Sequence, residues 1–295
     1  MNLRDLHYLV TVADCRQFAR AAKLCNVSQP SLSMQLKKLE EELGVIIFER
    51  SGRELIITQA GKAVIERARS VLNEVSEMRA VAKYHASDAA EFRLGIIPTI
   101  APYLLPEYLP RIRKAMPELK LRLVEGQTHM LEDMLSKGQL DGVIAPLPLS
   151  GKEFKHSVLC HEKCLIAVPA AHPFAKKKKL TSQMLANERI LLLDEGHCLR
   201  NQALALCAKT GMQENVDFRS TSLETLRHMV ASGEGITLMP ASAVRQDSKI
   251  AYIPCAEKGF IRKIGLSWRS STPFQDIIYQ LKDIAVDVYI SARVS

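Results

Sequence analysis

The chain has 295 residues, 47% of them apolar and 24% charged, which supplies core for two or three domains and excludes wholesale disorder. No stretch approaches the roughly 18 uninterrupted apolar residues of a membrane span, and Met1 to Asp5 carries charges of both signs without an apolar run, so no membrane contact and a cytoplasmic address are expected. The net charge of +8 divides into +3 over residues 1–87 and +5 over residues 88–295; it suits a polyanionic partner without locating one.

In chain order, the first sixty residues predict three short helices. Leu6, Leu9, Val10 and Ala13 recur at helical spacing, as do Phe18, Ala21, Ala22 and Cys25, and then Leu32, Leu36, Leu39 and Leu43. Between the second and third stands Asn26-Val27-Ser28-Gln29-Pro30, with Ser28 as N-cap and Pro30 in a first helical turn. Two short β-like runs, Val45 to Phe48 and Leu55 to Ile57, flank the basic turn Arg50-Ser51-Gly52-Arg53. The pattern predicts a winged helix-turn-helix over residues 1–58.

Residues 59–87 predict one long linker helix. Val64, Ala68, Val71, Val75, Met78 and Ala82 form a seam with a spacing near 3.5, which suits homodimerisation. From residue 88 to 295, short β-like runs alternate with helical stretches: 92–97 then 104–116, 119–124 then 130–135, 142–145, 164–168, and 189–193 then 198–208. This predicts an α/β regulatory domain with a largely parallel sheet, long enough for two lobes, lobe I at about 88–161 and 266–295 and lobe II at about 162–265. Thr221-Ser222-Leu223-Glu224 reads as a capping box opening a helix to Ser232. The run Lys176 to Lys179 reads as a solvated loop.

The first constellation of chemistry is the helix-turn-helix. The start of a recognition helix meets base edges in the major groove, and here that start supplies Gln29, Pro30, Ser31 and Ser33. Gln pairs bidentately with adenine and Ser reads either edge, while Lys37, Lys38, Arg50 and Arg53 would hold phosphates of double-stranded promoter DNA.

The second is Asp194-Glu195-Gly196-His197-Cys198-Leu199-Arg200, running on to Cys207. A thiol at a helix N-terminus beside His197 and Arg200 is expected to have a lowered pKa. Its thiolate can attack a peroxide, and a second thiol can resolve the sulfenic acid to a disulfide. Nine residues of helix separate the cysteines by roughly 13.5 Å, whereas a disulfide needs Cα atoms within about 7 Å. Bond formation must therefore remodel the helix. Thr99, Thr128 and His129 follow predicted strand ends and could share the crevice with Cys198. The remaining cysteines take structural readings: Cys15 and Cys25 in the N-terminal domain, Cys255 after a β-like run, and Cys160 with Cys164, whose spacing suits a metal pair that nothing nearby completes.

Phe18-Ala19-Arg20-Ala21-Ala22, Val27-Ser28-Gln29-Pro30-Ser31-Leu32-Ser33, Leu39-Glu40-Glu41-Glu42-Leu43-Gly44, Phe48-Glu49-Arg50 and Thr58-Gln59-Ala60-Gly61 resemble the LysR-type transcriptional regulators. The resemblance runs over the whole chain. It implies a winged helix-turn-helix, a linker helix and an effector domain of two periplasmic-binding-protein-like lobes, assembled as a homodimer or as a tetramer formed from two dimers. Gly95 to Thr99, Pro102 to Pro106, Gln127-Thr128-His129, Glu195 to Arg200 and Thr221 to Arg227 closely resemble the peroxide-sensing members of that family. That likeness implies Cys198 as the peroxidatic thiol, Cys207 as its resolving partner, Thr99, Thr128 and His129 in the peroxide pocket with His197, and Arg262 near the reactive sulfur. The expected function is therefore a transcriptional regulator rather than an enzyme, with no separate cofactor. RNA polymerase is the expected partner at the promoter, and glutaredoxin or thioredoxin the reductant. Two alternatives are a LysR-type regulator whose crevice binds a small organic effector and a thiol peroxidase joined to a DNA anchor.

Overall fold

The computed structural model describes residues 1–51, 54–86, 91–151, 153–186, 188–255 and 261–294, without the side chains of 50, 51, 54, 80, 81, 83–86, 217 and 292–294. The chain divides into two compact units, Met1–Ala86 and Ser87–Ser295.

In the first unit, α1 (Leu3–Cys15), α2 (Phe18–Leu24) and α3 (Gln29–Leu43) precede a two-stranded wing, β1 (Phe48–Ser51) with β2 (Glu54–Ile57), and the long α4 (Gln59–Ala86). Leu6, Leu9, Val12, Ala21, Ala22, Leu32, Leu36, Leu39 and Ile47 form the core, and Leu43, expected on the apolar stripe, is exposed at the end of α3. The starts of α1, α3 and α4 have local causes. Asn2 and Asp5 make a capping box on α1, and the Ser28 hydroxyl accepts the Ser31 N–H at 3.3 Å. The Thr58 hydroxyl accepts the Gly61 N–H at 2.8 Å to open α4. Gly61 is required there, because a Cβ would stand 2.4 Å from the Ile47 carbonyl oxygen. The first turns of α4 bury Ile65 and Ala68 in this same core, whereas Val71, Met78 and Ala82 are exposed. The seam read from the sequence thus serves its own domain first and leaves an apolar face beyond.

The second unit contains β3 (Glu91–Ile96), α5 (Ala101–Ala115), β4 (Lys120–Glu125), α6 (Thr128–Ser136), β5 (Gly142–Pro146), β6 (Phe154–Pro169), α7 (Ser182–Leu185), β7 (Arg189–Leu193), α8 (Cys198–Thr210), β8 (Gln213–Ser220), α9 (Leu223–Ala231), β9 (Ile236–Pro240), β10 (Ile250–Pro254), β11 (Ile261–Arg269) and α10 (Gln275–Val294). The sheet runs β4-β3-β5-β11-β6-β9-β7-β8, with β10 also on β6. It is mixed, which corrects the expectation of a largely parallel sheet. β3 with β4 and β5, and β7 with β8 and β9, are parallel, but every pairing of β6 and β11 is antiparallel. These two long strands return the chain through the middle of the sheet, and in β6 the polar residues His156, Ser157, His161 and Lys163 break the apolar pattern, so that only its end at 164–168 is legible as a strand in the sequence. β6 pairs with β11 through Lys163 and with β9 from Cys164 onward. A separate core of Ile166, Val168, Ile190, Leu192, Leu199, Leu206, Leu226, Val230 and Leu238 lies on the β9 side.

Two local readings are corrected. The cap of α9 is Ser222, whose hydroxyl accepts the Glu224 N–H at 3.2 Å, rather than Thr221. The Glu224 carboxylate turns away from the cap to accept the Tyr103 hydroxyl and an Arg227 N–H, both at 3.0 Å.

Candidate functional site

The carboxyl ends of β3, β4 and β7 feed loops into one crevice of about 630 Å³, lined among others by Thr99, Tyr103, Gln127, His129, His197 and Ser222. This is where an α/β sheet collects ligands. Of the residues read from the sequence, Thr99, His129 and His197 line the crevice directly. Beside them stand the buried Arg262 and the half-buried Thr128 and Cys198.

Arg262 is the centre of that group. It lies on β11 directly opposite Glu162 on β6, is 1% exposed, and donates its Nε to the Glu162 carboxylate. Its Nη1 donates to the Thr99 hydroxyl and its Nη2 to the Thr99 carbonyl, each at 2.9 Å. Burying a guanidinium is costly unless its donors are paired, and these partners meet that need. Glu162 also accepts the Ser242 N–H at 3.0 Å. Glu162 carries no local signal in the sequence, because only the register brings it to Arg262.

Cys198 begins α8 and is half-buried. Burial pushes its thiol pKa up, while the Arg262 charge, the Thr128 side chain and the backbone N–H groups at the helix start pull it down; the net direction is up. This corrects the expectation of a lowered pKa, and the reason is positional. Arg200 does not serve the thiol; it pairs with Glu214 at 2.9 and 3.0 Å and donates to the Leu193 carbonyl at 3.1 Å. His197 is buried and its pKa is lowered by that burial, so it is neutral near pH 7 and supplies no positive charge. The Thr128 hydroxyl is buried without a hydrogen bond of ordinary geometry, yet it stands close enough to Cys198 to favour the thiolate.

The loop that carries Cys198 is held from across the crevice. Gln127 Nε2 donates to the Glu195 carbonyl at 2.9 Å, and Gly196, at φ +87°, sits so close to Gln127 that a Cβ would lie 2.2 Å from its side-chain oxygen. Cys207 lies about two and a half turns along α8 and is half-buried against the β9-side core.

In the first unit, Gln29, Pro30 and Lys37 are exposed on α3, and Ser31 and Ser33 are half-exposed. Met34 is 54% exposed on the same face, opposite the buried Leu32, Leu36 and Leu39. Lys37 is 3.9 Å from Glu41, an exposed pair of little energetic weight. The Arg50 side chain and Arg53 lie outside the described residues. Glu40, not singled out from the sequence, sets the start of the wing: Oε1 accepts the N–H groups of Ile47 and Phe48 at 2.7 and 3.0 Å.

Comparison with known proteins agrees with this division. Residues 3–62 match the family of bacterial regulatory helix-turn-helix proteins of the lysR type, and residues 85–288 match the LysR substrate binding domain. The chain belongs to the LysR family of transcriptional regulators. It is 43% identical over 287 residues to the DNA-binding transcriptional dual regulator OxyR of Escherichia coli K12, covering 96% of this chain and 94% of that one. A solved full-length OxyR variant from Pseudomonas aeruginosa is 37% identical with a TM-score of 0.73, covering 97% of this chain and 94% of that one. A Corynebacterium glutamicum OxyR cysteine variant solved with hydrogen peroxide bound is 33% identical with a TM-score of 0.65, covering 99% and 93%. As a member of this family the chain is a DNA-binding protein, and no described helix is long and apolar enough to cross a membrane.

Proposed function

We propose that the chain regulates transcription by sensing hydrogen peroxide through Cys198, which is oxidised to the sulfenic acid and then forms a reversible disulfide with Cys207. The observation that carries this reading is the buried Arg262, fixed by Glu162 and Thr99 so that its charge acts on the Cys198 thiol. Thr128, His129 and His197 complete the peroxide pocket. Relatives named OxyR, one of them solved with hydrogen peroxide bound, support it. Closing the disulfide must unwind α8, because nine residues of helix span about 13.5 Å.

The same reading assigns residues 1–58 to DNA binding through Gln29, Pro30, Ser31, Ser33, Lys37, Arg50 and Arg53, residues 59–87 to the dimerising linker, and residues 88–295 to redox sensing. The exposed Val71, Met78 and Ala82 of α4 are the face offered to a second copy, with a dimer of dimers as the assembled form. Remodelling of α8 would change how paired subunits present α3 to DNA and how they meet RNA polymerase. Glutaredoxin or thioredoxin in the cytoplasm would restore the thiols. The test is non-reducing peptide mapping after a stoichiometric peroxide pulse on reduced protein. A Cys198–Cys207 peptide pair is expected, and a Cys198→Ser variant should not respond; a normal response from that variant overturns the reading.

The crevice also supports a second reading, a small organic effector. Its volume of about 630 Å³ exceeds what a peroxide fills, and Tyr103, Gln127 and Ser222 line it. Thermal stabilisation by a carboxylate metabolite, with no effect of peroxide, would favour that reading.

A further inference from the structure

Cys164 is a buried thiol that the scheme above does not use. It is 4% exposed and lies on β6 two residues from Glu162, so Cys160, Glu162 and Cys164 share one buried face of the strand while His161 and Lys163 point the other way. Because Arg262 is directly opposite Glu162, Cys164 is its diagonal neighbour on that face, within reach of a long side chain.

The sheet register brings the same residue toward Cys198. Cys164 pairs with Pro240 on β9, and β9 runs parallel to β7 with Leu191 beside Thr237. Two pairs hold β9 to β7, and the same register carried three residues onward would set Pro240 level with Asp194, the residue just after β7. Cys164 and Asp194 are therefore level and two strands apart, about 10 Å at the usual strand spacing. Cys198 follows Asp194 by one tight turn through Gly196.

We propose that Cys164 is a second resolving thiol for Cys198. Peroxide first takes the Cys198 thiolate to the sulfenic acid, releasing hydroxide. The Cys164 sulfur then attacks that sulfenic sulfur: the S–S bond forms, the S–O bond breaks, and the departing hydroxide leaves as water with the Cys164 proton. Peroxide is the only oxidant, and the inference rests on the peroxide-sensing reading above. Electrostatics agree with the geometry, since burial pushes the Cys164 thiol up to about 12, Arg262 pulls it down, and Cys198 is near enough to push it up. With so little thiolate at neutral pH, Cys164 cannot be the primary target of peroxide, and its attack on the sulfenic acid is slow. It differs from Cys207 in lying on β6, so that no stretch of α8 separates it from Cys198. The product is an oxidised form that has not switched, and in which Cys198 is protected from further oxidation.

The experiment uses full-length Cys207→Ser protein, reduced, pulsed with stoichiometric hydrogen peroxide at pH 7, 8 and 9, and mapped without reductant; no core residue is altered. A Cys164–Cys198 peptide pair is expected, its rate of formation from the sulfenic acid rising about tenfold per pH unit, as the thiolate fraction does. Capture of Cys198 as a dimedone adduct or sulfinic acid, with Cys164 fully alkylated after denaturation, overturns the inference. The wild-type map run alongside separates the two ideas: a Cys198 that never oxidises in either protein defeats the sensor reading itself.

Discussion

Arg262 holds Thr99 by two hydrogen bonds of 2.9 Å, one to the hydroxyl and one to the carbonyl. A single guanidinium thereby fixes the wall of the crevice, neutralises Glu162 and biases the Cys198 thiol toward its ionised form.

Arg262→Met removes the charge that lowers the Cys198 pKa, so that pKa rises and Cys198 oxidation at pH 7 should slow about tenfold for each unit of the rise. It also strands the Glu162 carboxylate and should cost about 3–5 kcal/mol of stability. The double variant Arg262→Met with Glu162→Gln should recover most of that stability without recovering the rate. Single-turnover oxidation kinetics and urea unfolding read the two effects separately, and recovery of both together would contradict the electrostatic role.

Stability should fall at alkaline pH. The Cys164 thiol is raised by burial to about 12 from 9.0, so the unfolded chain ionises first. The contribution is fully present below pH 9 and lost as pH rises toward 12, on the order of 4 kcal/mol from this group. Urea unfolding under reducing conditions at pH 8 to 11 should show a steeper decline for the wild type than for Cys164→Ala. Equal slopes would place the ionisation elsewhere.

Glu214 holds α8 closed through Arg200, with both hydrogen bonds near 3 Å and the Arg200 side chain 8% exposed. Glu214→Gln leaves that charge poorly paired in the reduced form only, at a cost of about 1–3 kcal/mol. The disulfide equilibrium against glutathione should shift toward oxidation by about fivefold to a hundredfold, since about 1.4 kcal/mol is one factor of ten. An unchanged equilibrium would mean that Arg200 keeps its partner after oxidation.

On α3, Gln29→Ala should weaken binding to a cognate operator by about 1–3 kcal/mol while leaving random DNA nearly unaffected. Lys37→Ala should weaken both and lower the salt slope by about one. Gel-shift titrations over a range of salt concentrations distinguish a base reader from a phosphate contact.

Much of this protein is written locally in its sequence. The stripes of Leu6 to Leu39, the Ser28 cap, the Thr58 and Gly61 start of α4, and the placement of Cys198 at a helix start depend on residues within a few turns of one another. The motifs that marked Thr99, His129 and His197 likewise pointed to loops after strands, where the crevice lies. Long-range pairing has no such local source and comes from the fold as a whole. β6 and β11 are antiparallel partners about 100 residues apart in sequence, and their register alone sets Arg262 against Glu162 and Cys164 beside both. Arg200 is adjacent to the thiol in sequence, but the helix turns it toward Glu214. The Cys198 pKa followed the same logic: the helix start and a nearby cation favour the thiolate, but desolvation outweighs them. Burial is a property of the whole fold and has no local signature in the sequence.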